Sequence, residues 1–218
     1  MKRRLPLLML LVSYHSASAQ TPSGGGAEIV VVEHRVDVGS GVERSKGPLF
    51  GVAAQWQVAG RWEVGVRTAG GTLRGSSGVM DRKDAEVGLE VRYAAAPWLV
   101  VRSTVRRLVY TTDLARQAWT SVALGGEGRL ALLGGAATGI VHAAVVPVVA
   151  VRGLPSPDAA IAAGAGMEFR RGAALLRVSY GLERFDFPDS NGARHLEQRS
   201  ALTLGLSLQR RAAGPAAP

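Results

Sequence analysis

Residues 86–109 read E-V-G-L-E-V-R-Y, then A-A-A-P-W, then L-V-V-R-S-T-V-R-R-L-V. In the first segment Val87, Leu89, Val91 and Tyr93 alternate with Glu86, Gly88, Glu90 and Arg92. A period of two puts one apolar face on a strand and cannot put one on a helix, whose repeat is about 3.6 residues. Ala95, Ala96 and Pro97 then supply a tight turn, and Leu99, Val101 and Val105 alternate with Val100, Arg102, Thr104 and Arg106 on the way back. The unit is an antiparallel hairpin with one apolar and one charged face.

Outward from this hairpin the pattern repeats. It predicts about ten strands, at residues 28–38, 49–58, 62–74, 84–94, 98–111, 117–133, 136–151, 159–170, 173–187 and 195–209. Each is long enough to cross a bilayer at a tilt, which takes roughly 9–11 residues. Eight strands is the alternative, if residues 28–58 stay out of the wall. Tight turns at 59–61, 95–97, 134–135 and 171–172 alternate with longer, more polar connections at 39–48, 75–83, 112–116, 153–158 and 188–194. Across the turns, Leu133 opposite Ala136 and Arg170 opposite Ala173 keep like faces together. The uncharged run 130–151 is long enough for a membrane helix, but Gly134, Gly135, His142, Pro147 and its valines favour a turn and a strand.

The first nineteen residues stand apart. Lys2, Arg3 and Arg4 form a basic head, residues 5–12 an apolar core, and Ala17, Ser18 and Ala19 a small-residue cleavage site, the pattern of a secretory signal peptide cut between Ala19 and Gln20. Residues 20–27 read as a flexible leader and 210–218 as a disordered tail around a barrel at 28–209. Export permits disulfides, yet the 218 residues contain no cysteine. The net charge is +9, but the arginines are spread singly through alternating strands, which argues against nucleic acid as a partner.

The even strand count, the alternation of tight turns with longer loops, and both ends of the wall on the tight-turn side resemble small bacterial outer-membrane β-barrels, of the OmpA-, OmpW- and opacity-like or porin-like class. The closing strand, residues 200–209, is similar to the final strand of such proteins, although it ends on Leu208 where they carry an aromatic. The resemblance implies an all-β, closed, antiparallel up-and-down transmembrane barrel in the outer membrane of a Gram-negative envelope. Outer-membrane lipids and the barrel-assembly machinery are its implied partners.

Three features turn the apolar face outward, toward lipid. Glycines 51, 65, 88, 125, 164, 166, 181 and 205 share the charged face, where a narrow interior needs small residues beside large ones. Trp56, Trp62, Tyr93, Trp98 and Phe169 gather near the tight turns, while Trp119, with Phe50, Tyr110, Phe185 and Phe187, lies near the longer loops, as in two interfacial girdles. Nearly every strand carries the apolar face, as in Val30, Val32 and Val36, Val122 and Leu124, Leu176 and Val178, and Leu202 to Leu208.

The lumen then holds Glu33, Arg35, Asp37, Glu63, Arg67, Glu86, Glu90, Arg92, Arg102, Arg106, Glu127, Arg129, Glu168, Arg170, Arg177, Glu183 and Arg199. Enclosed charges of both signs must pair or stay hydrated, so ion pairs such as Glu90 with Arg102 plug the barrel. This favours a barrel of structural or surface-interaction type over its alternative, a narrow pore for small polar or anionic solutes. The chain reads as no enzyme; a rim hydrolase, omptin-like or lipid-modifying, would draw on Asp113, Asp186, Asp189, His195 or Glu197. His34 falls on the lipid-side parity and His142 on the lumen side. Four scattered histidines and no cysteine give no metal-ligand spacing, and no cofactor is implied.

Overall fold

Because a strand in lipid has no water to satisfy its backbone, every N–H and C=O must find a partner in a neighbouring strand, and only a closed sheet achieves this. The computed structural model describes residues 24–39, 41–76, 78–190 and 193–209. The expected signal peptide with its Ala19 and Gln20 cleavage site, and the tail 210–218, lie outside the described residues. The strands are β1 (Gly24–Asp37), β2 (Val42–Ala59), β3 (Trp62–Gly75), β4 (Arg82–Ala96), β5 (Leu99–Thr111), β6 (Arg116–Leu132), β7 (Ala137–Val151), β8 (Ala159–Arg171), β9 (Ala174–Ser190) and β10 (Ala193–Gln209). Each pairs antiparallel with the next, and β1 closes on β10 from Gly24 opposite Gln209 to Asp37 opposite Leu196. The result is an all-β, closed, ten-stranded up-and-down barrel.

The strands run from 13 to 18 residues, and seven of the ten are longer than the sequence pattern suggests, the extra length being taken from the connections; β5, β6 and β7 are not. At one end the turns are residues 60–61, 97–98, 133–136 and 172–173; at the other the connections join Asp37 to Val42, Gly75 to Arg82, Thr111 to Arg116, Val151 to Ala159 and Ser190 to Ala193. We call these the tight-turn and long-loop ends. Two boundaries are corrections. The leader expected at 20–27 ends sooner, because Gly24 to Ala27 belong to β1 and pair on one side with β10 and on the other with Gln55 to Val52 of β2. Likewise residues 42–48, expected in a loop, open β2; Pro48, which cannot donate to a ladder, is tolerated where no residue of β3 is paired with it.

The uncharged run 130–151 is broken as its glycines require. Gly134 and Gly135 take φ of 64° and 91°, values an L side chain rarely adopts, and Leu132 pairs with Ala137 across them. Farther along, Val122 opposes Val148 but Leu124 opposes Val145, so Val146 and Pro147 together face Ala123 alone. This bulge is where a strand can hold a proline. No helix among the described residues is long and apolar enough to cross a membrane. At the last tight turn Arg170 opposes Leu175 instead of Ala173, a slip of two that leaves every face unchanged.

Val87, Leu89, Val105, Leu124, Val141, Val145, Val178, Leu202, Leu204, Leu206 and Leu208 are exposed on the outer wall. On β1 the faces are the reverse of the sequence reading. Val30, Val32 and His34 are buried inside, while Ile29, Val31 and Glu33 are exposed and Arg35 shares their outward parity. The apolar run of residues 29–32 does not alternate, so parity had to be taken from Glu33, Arg35 and Asp37. Those three stand beyond the apolar band at the long-loop end, where the outer face is polar and charge no longer marks the lumen.

Candidate functional site

The candidate site is the lumen, and its two halves differ. Toward the tight turns, alternation points charged residues inward from neighbouring strands, with small residues between them. Arg92 of β4 reaches Glu63 of β3 at 3.2 Å, Glu90 of its own strand at 3.3 Å and Glu127 of β6 at 2.8 Å. Arg102 of β5 takes the other oxygen of Glu90 at 3.1 Å, and Arg129 donates to Glu127 at 2.7 Å. Arg177 of β9 pairs with Glu168 of β8, and Arg170 shares their parity but stands exposed at the rim. Shared carboxylates tie β3, β4, β5, β6, β8 and β9 together from inside, with Arg92, Arg102 and Arg129 each meeting more than one acid.

A second layer closes this half at mid-height. Arg106 and Glu183 form a bidentate pair with both contacts at 2.7 Å, and Arg199 donates to Glu86 at 2.8 Å. Arg67 bridges Glu86 and Glu28. Glu28 falls on the outward parity when β1 is read from Glu33, Arg35 and Asp37, and the reversed faces of β1 bring it into the lumen; its room comes from Gly51, where an added Cβ would sit 2.9 Å from its carboxylate. Gly164 likewise makes space for His142, whose ring would lie 2.4 Å from a Cβ there. Between the two layers remains a cavity of about 410 Å³, lined by the small residues Gly65, Gly88, Gly125, Ala144, Gly181 and Gly205.

Toward the long loops the lumen is packed. Leu108 and Tyr110 of β5, Trp119 of β6, Val146, Val149 and Val151 of β7, and Phe185 and Phe187 of β9 form one buried cluster. Trp119 meets the rings of Tyr110, Phe185 and Phe187 edge-on, at 6.2, 5.3 and 5.8 Å between centroids. Such pairs add about 0.5–1.5 kcal/mol each beyond the area they bury. Val30, Val32, Leu49, Ala69 and Leu73 fill the facing wall.

Trp119 was expected in an outer girdle, with Tyr110, Phe185 and Phe187. All four are instead 4–6% exposed and point inward, a correction with a signal already in the sequence. Each shares the parity of the charged residues on its own strand: Tyr110 with Arg106, Trp119 with Glu127, Phe185 and Phe187 with Glu183. Position along the strand suggested a girdle; parity along the strand said otherwise. At the tight-turn end Trp56, Trp62, Tyr93 and Phe169 do stand on the outer wall, with Trp62 packed on Tyr93 at 4.7 Å, and Trp98 is exposed in the 97–98 turn.

Between the two apolar clusters sits a polar knot. The two oxygens of Glu197 meet His34 Nε2 at 2.9 Å and His195 Nε2 at 3.0 Å, and the Arg82 guanidinium donates to His34 Nδ1. A ring that accepts at Nδ1 holds its proton on Nε2, so His34 donates to Glu197. Tyr110 stacks on His34 and Phe187 on His195. The rim candidates for catalysis are thereby divided. His195 and Glu197 face inward, with Glu197 buried between two imidazoles; Asp186 faces outward and is held by Arg184 at 3.0 Å. Asp113 is exposed in the 112–115 turn, and the Asp189 side chain lies outside the described residues. Among the described residues no three His, Cys, Asp or Glu side chains could hold a metal ion.

No protein-family model matches this sequence, and no curated protein sequence does. Solved structures share the architecture. The outer membrane protease OmpT from Escherichia coli is similar over 89% of this chain and 99% of its own, with a TM-score of 0.56 at 11% identity. The translocator domain of the autotransporter NalP from Neisseria meningitidis matches over 87% of this chain and 89% of its own, at 11% identity and a TM-score of 0.47. Neisserial surface protein A matches over 85% of this chain and 97% of its own, at 10% identity and a TM-score of 0.40. Ten antiparallel strands closed on themselves, an apolar outer wall and the likeness to OmpT together give this chain the fold of bacterial outer-membrane β-barrels.

Proposed function

We propose that the protein is an integral barrel of the outer membrane, of structural or surface-interaction type, whose lumen is closed to solutes. The observation that carries this reading is the aromatic cluster around Trp119, which fills the lumen at the long-loop end. A path for ions needs continuous water, and rings packed edge-on leave none. Below them the Arg106–Glu183 and Arg199–Glu86 pairs line the cavity. The alternative, a narrow pore, is favoured by the cavity of about 410 Å³. A rim hydrolase finds less support, since Asp186 and Glu197 lie on opposite faces of the wall.

Planar-bilayer recordings of the refolded protein test the closure. The wild type gives no discrete conductance steps, and Trp119→Ala combined with Phe185→Ala introduces them. Regular anion-selective steps from the wild type would overturn the closed reading in favour of the pore.

A further inference from the structure

Beyond the apolar band, the outer wall of β1 to β4 carries the cations Arg44, Lys46, Arg74 and Lys83, which no acid pairs with among the described residues. Outward positions of β2, read toward the long loops, are Trp56, Ala54, Val52, Phe50, Pro48, Lys46 and Arg44. Apolar wall gives way to positive charge within two positions. Register brings the neighbours' cations to the same place: Arg35 of β1 opposes Arg44, Lys46 opposes Arg74 of β3, and Lys83 of β4 opposes Thr72, one diagonal step from Arg74. Like charges placed directly opposite destabilise a sheet.

Nearby acids do not relieve them. Asp37 is held by Arg35 at 3.7 Å, and Asp81 accepts the Gly75 N–H at 2.9 Å. Glu33 opposes Lys46 in register, yet among the described residues Arg44, Lys46, Arg74 and Lys83 form no ion pair. The lumen is different, since Arg67, Arg92, Arg102, Arg106, Arg177 and Arg199 each hold a carboxylate. So is the opposite wall, where Arg184 is matched by Asp186 and its neighbours on β10 are Gln198 and Ser200.

We propose that this outward face of β1 to β4 is a docking surface for the phosphate groups of membrane lipids in the leaflet at the long-loop end. Arginine forks and lysine ammonium groups are the side chains that bind phosphate. A lipid fits both parts of the surface, its phosphate on Arg44, Lys46, Arg74 and Lys83 and its chains on Phe50, which is 62% exposed two outward positions below Lys46. A soluble phosphate would use only the upper part. Basic residues at a membrane surface act together, each strengthening attraction to anionic headgroups.

The test uses the folded protein in neutral detergent micelles, titrated with bis-phosphorylated lipid A and followed by its thermal unfolding midpoint and by native mass spectrometry. The wild type binds this lipid and gains stability, and does neither with dephosphorylated lipid A. The variant Arg44→Gln, Lys46→Gln, Arg74→Gln and Lys83→Gln binds at least about tenfold more weakly. A control at the tight-turn end, Arg170→Gln with Arg171→Gln, binds as the wild type does. Should the fourfold variant fail the heat-modifiability test for folding, the two paired variants, Arg44→Gln with Lys46→Gln and Arg74→Gln with Lys83→Gln, each carry a partial loss. Unchanged binding in the folded variants, or equal binding of the dephosphorylated lipid, would overturn the proposal. So would complete displacement by inorganic pyrophosphate, which would make the surface a site for soluble anions. None of these readouts depends on conductance, so this surface and the closed lumen stand or fall separately.

Discussion

Toward the long loops the lumen is filled by Tyr110, Trp119, Phe185 and Phe187 packed against valines; toward the tight turns Arg92, Arg102, Glu90 and Glu127 surround a cavity of about 410 Å³. Both halves must occupy the same closed wall, and they do so by different physics. Rings fill space by close contact and tolerate no gap, so every neighbour constrains them. Long arginines reach across open space to meet carboxylates, which leaves room for water beside the small residues Gly65, Gly88, Gly125 and Gly181. One half is therefore close-packed around its rings, and the other is cross-linked around a cavity with room for water.

That contrast has measurable consequences. The largest is expected in the packed half: Trp119→Ala removes the ring that touches three others and costs about 3–5 kcal/mol, read from urea unfolding of the folded barrel in lipid vesicles. A loss below about 1 kcal/mol would show that the aromatic cluster is loosely packed and the two halves are alike. Next comes the wall that encloses both. Leu89→Arg or Val178→Arg, in the middle of the apolar band, costs about 2–4 kcal/mol, while Lys83→Ala beyond its edge costs about 0–1 kcal/mol. Equal and small losses at all three positions would mean that the outer wall does not face lipid. The smallest effect belongs to the half that holds the cavity. A double-mutant cycle on Glu90 and Arg102, paired at 3.1 Å, yields a coupling below about 1 kcal/mol that weakens with added salt. A salt-insensitive coupling of several kcal/mol would place that pair in a dry environment and erase the distinction.

Much of this was legible in the sequence. Parity in β4 and β5, where Val87, Leu89 and Val105 alternate with Glu90, Arg92 and Arg102, already assigned both faces and the sense of pairing. It went wrong in β1, where residues 29–32 are apolar without alternation and the only charges stand beyond the apolar band. The second misreading was of a different kind. Tyr110, Trp119, Phe185 and Phe187 had the parity of the lumen, but an aromatic near a strand end is as compatible with an interfacial girdle as with a plug. Deciding between them required knowing that β5, β6 and β9 aim these rings at one another across the barrel.

The sequence by itself determined the strand type, the order of strands, the tight and long ends and the outward face of most strands, β1 and the part of β7 beyond its bulge excepted, because each depends on periodicity within about fifteen neighbouring residues. Only the tertiary structure decided which charge meets which. Arg106 and Glu183 are 77 residues apart, and Arg199 and Glu86 are 113 apart. Pairing across a lumen is set by closure and register of the whole wall, which no local pattern records.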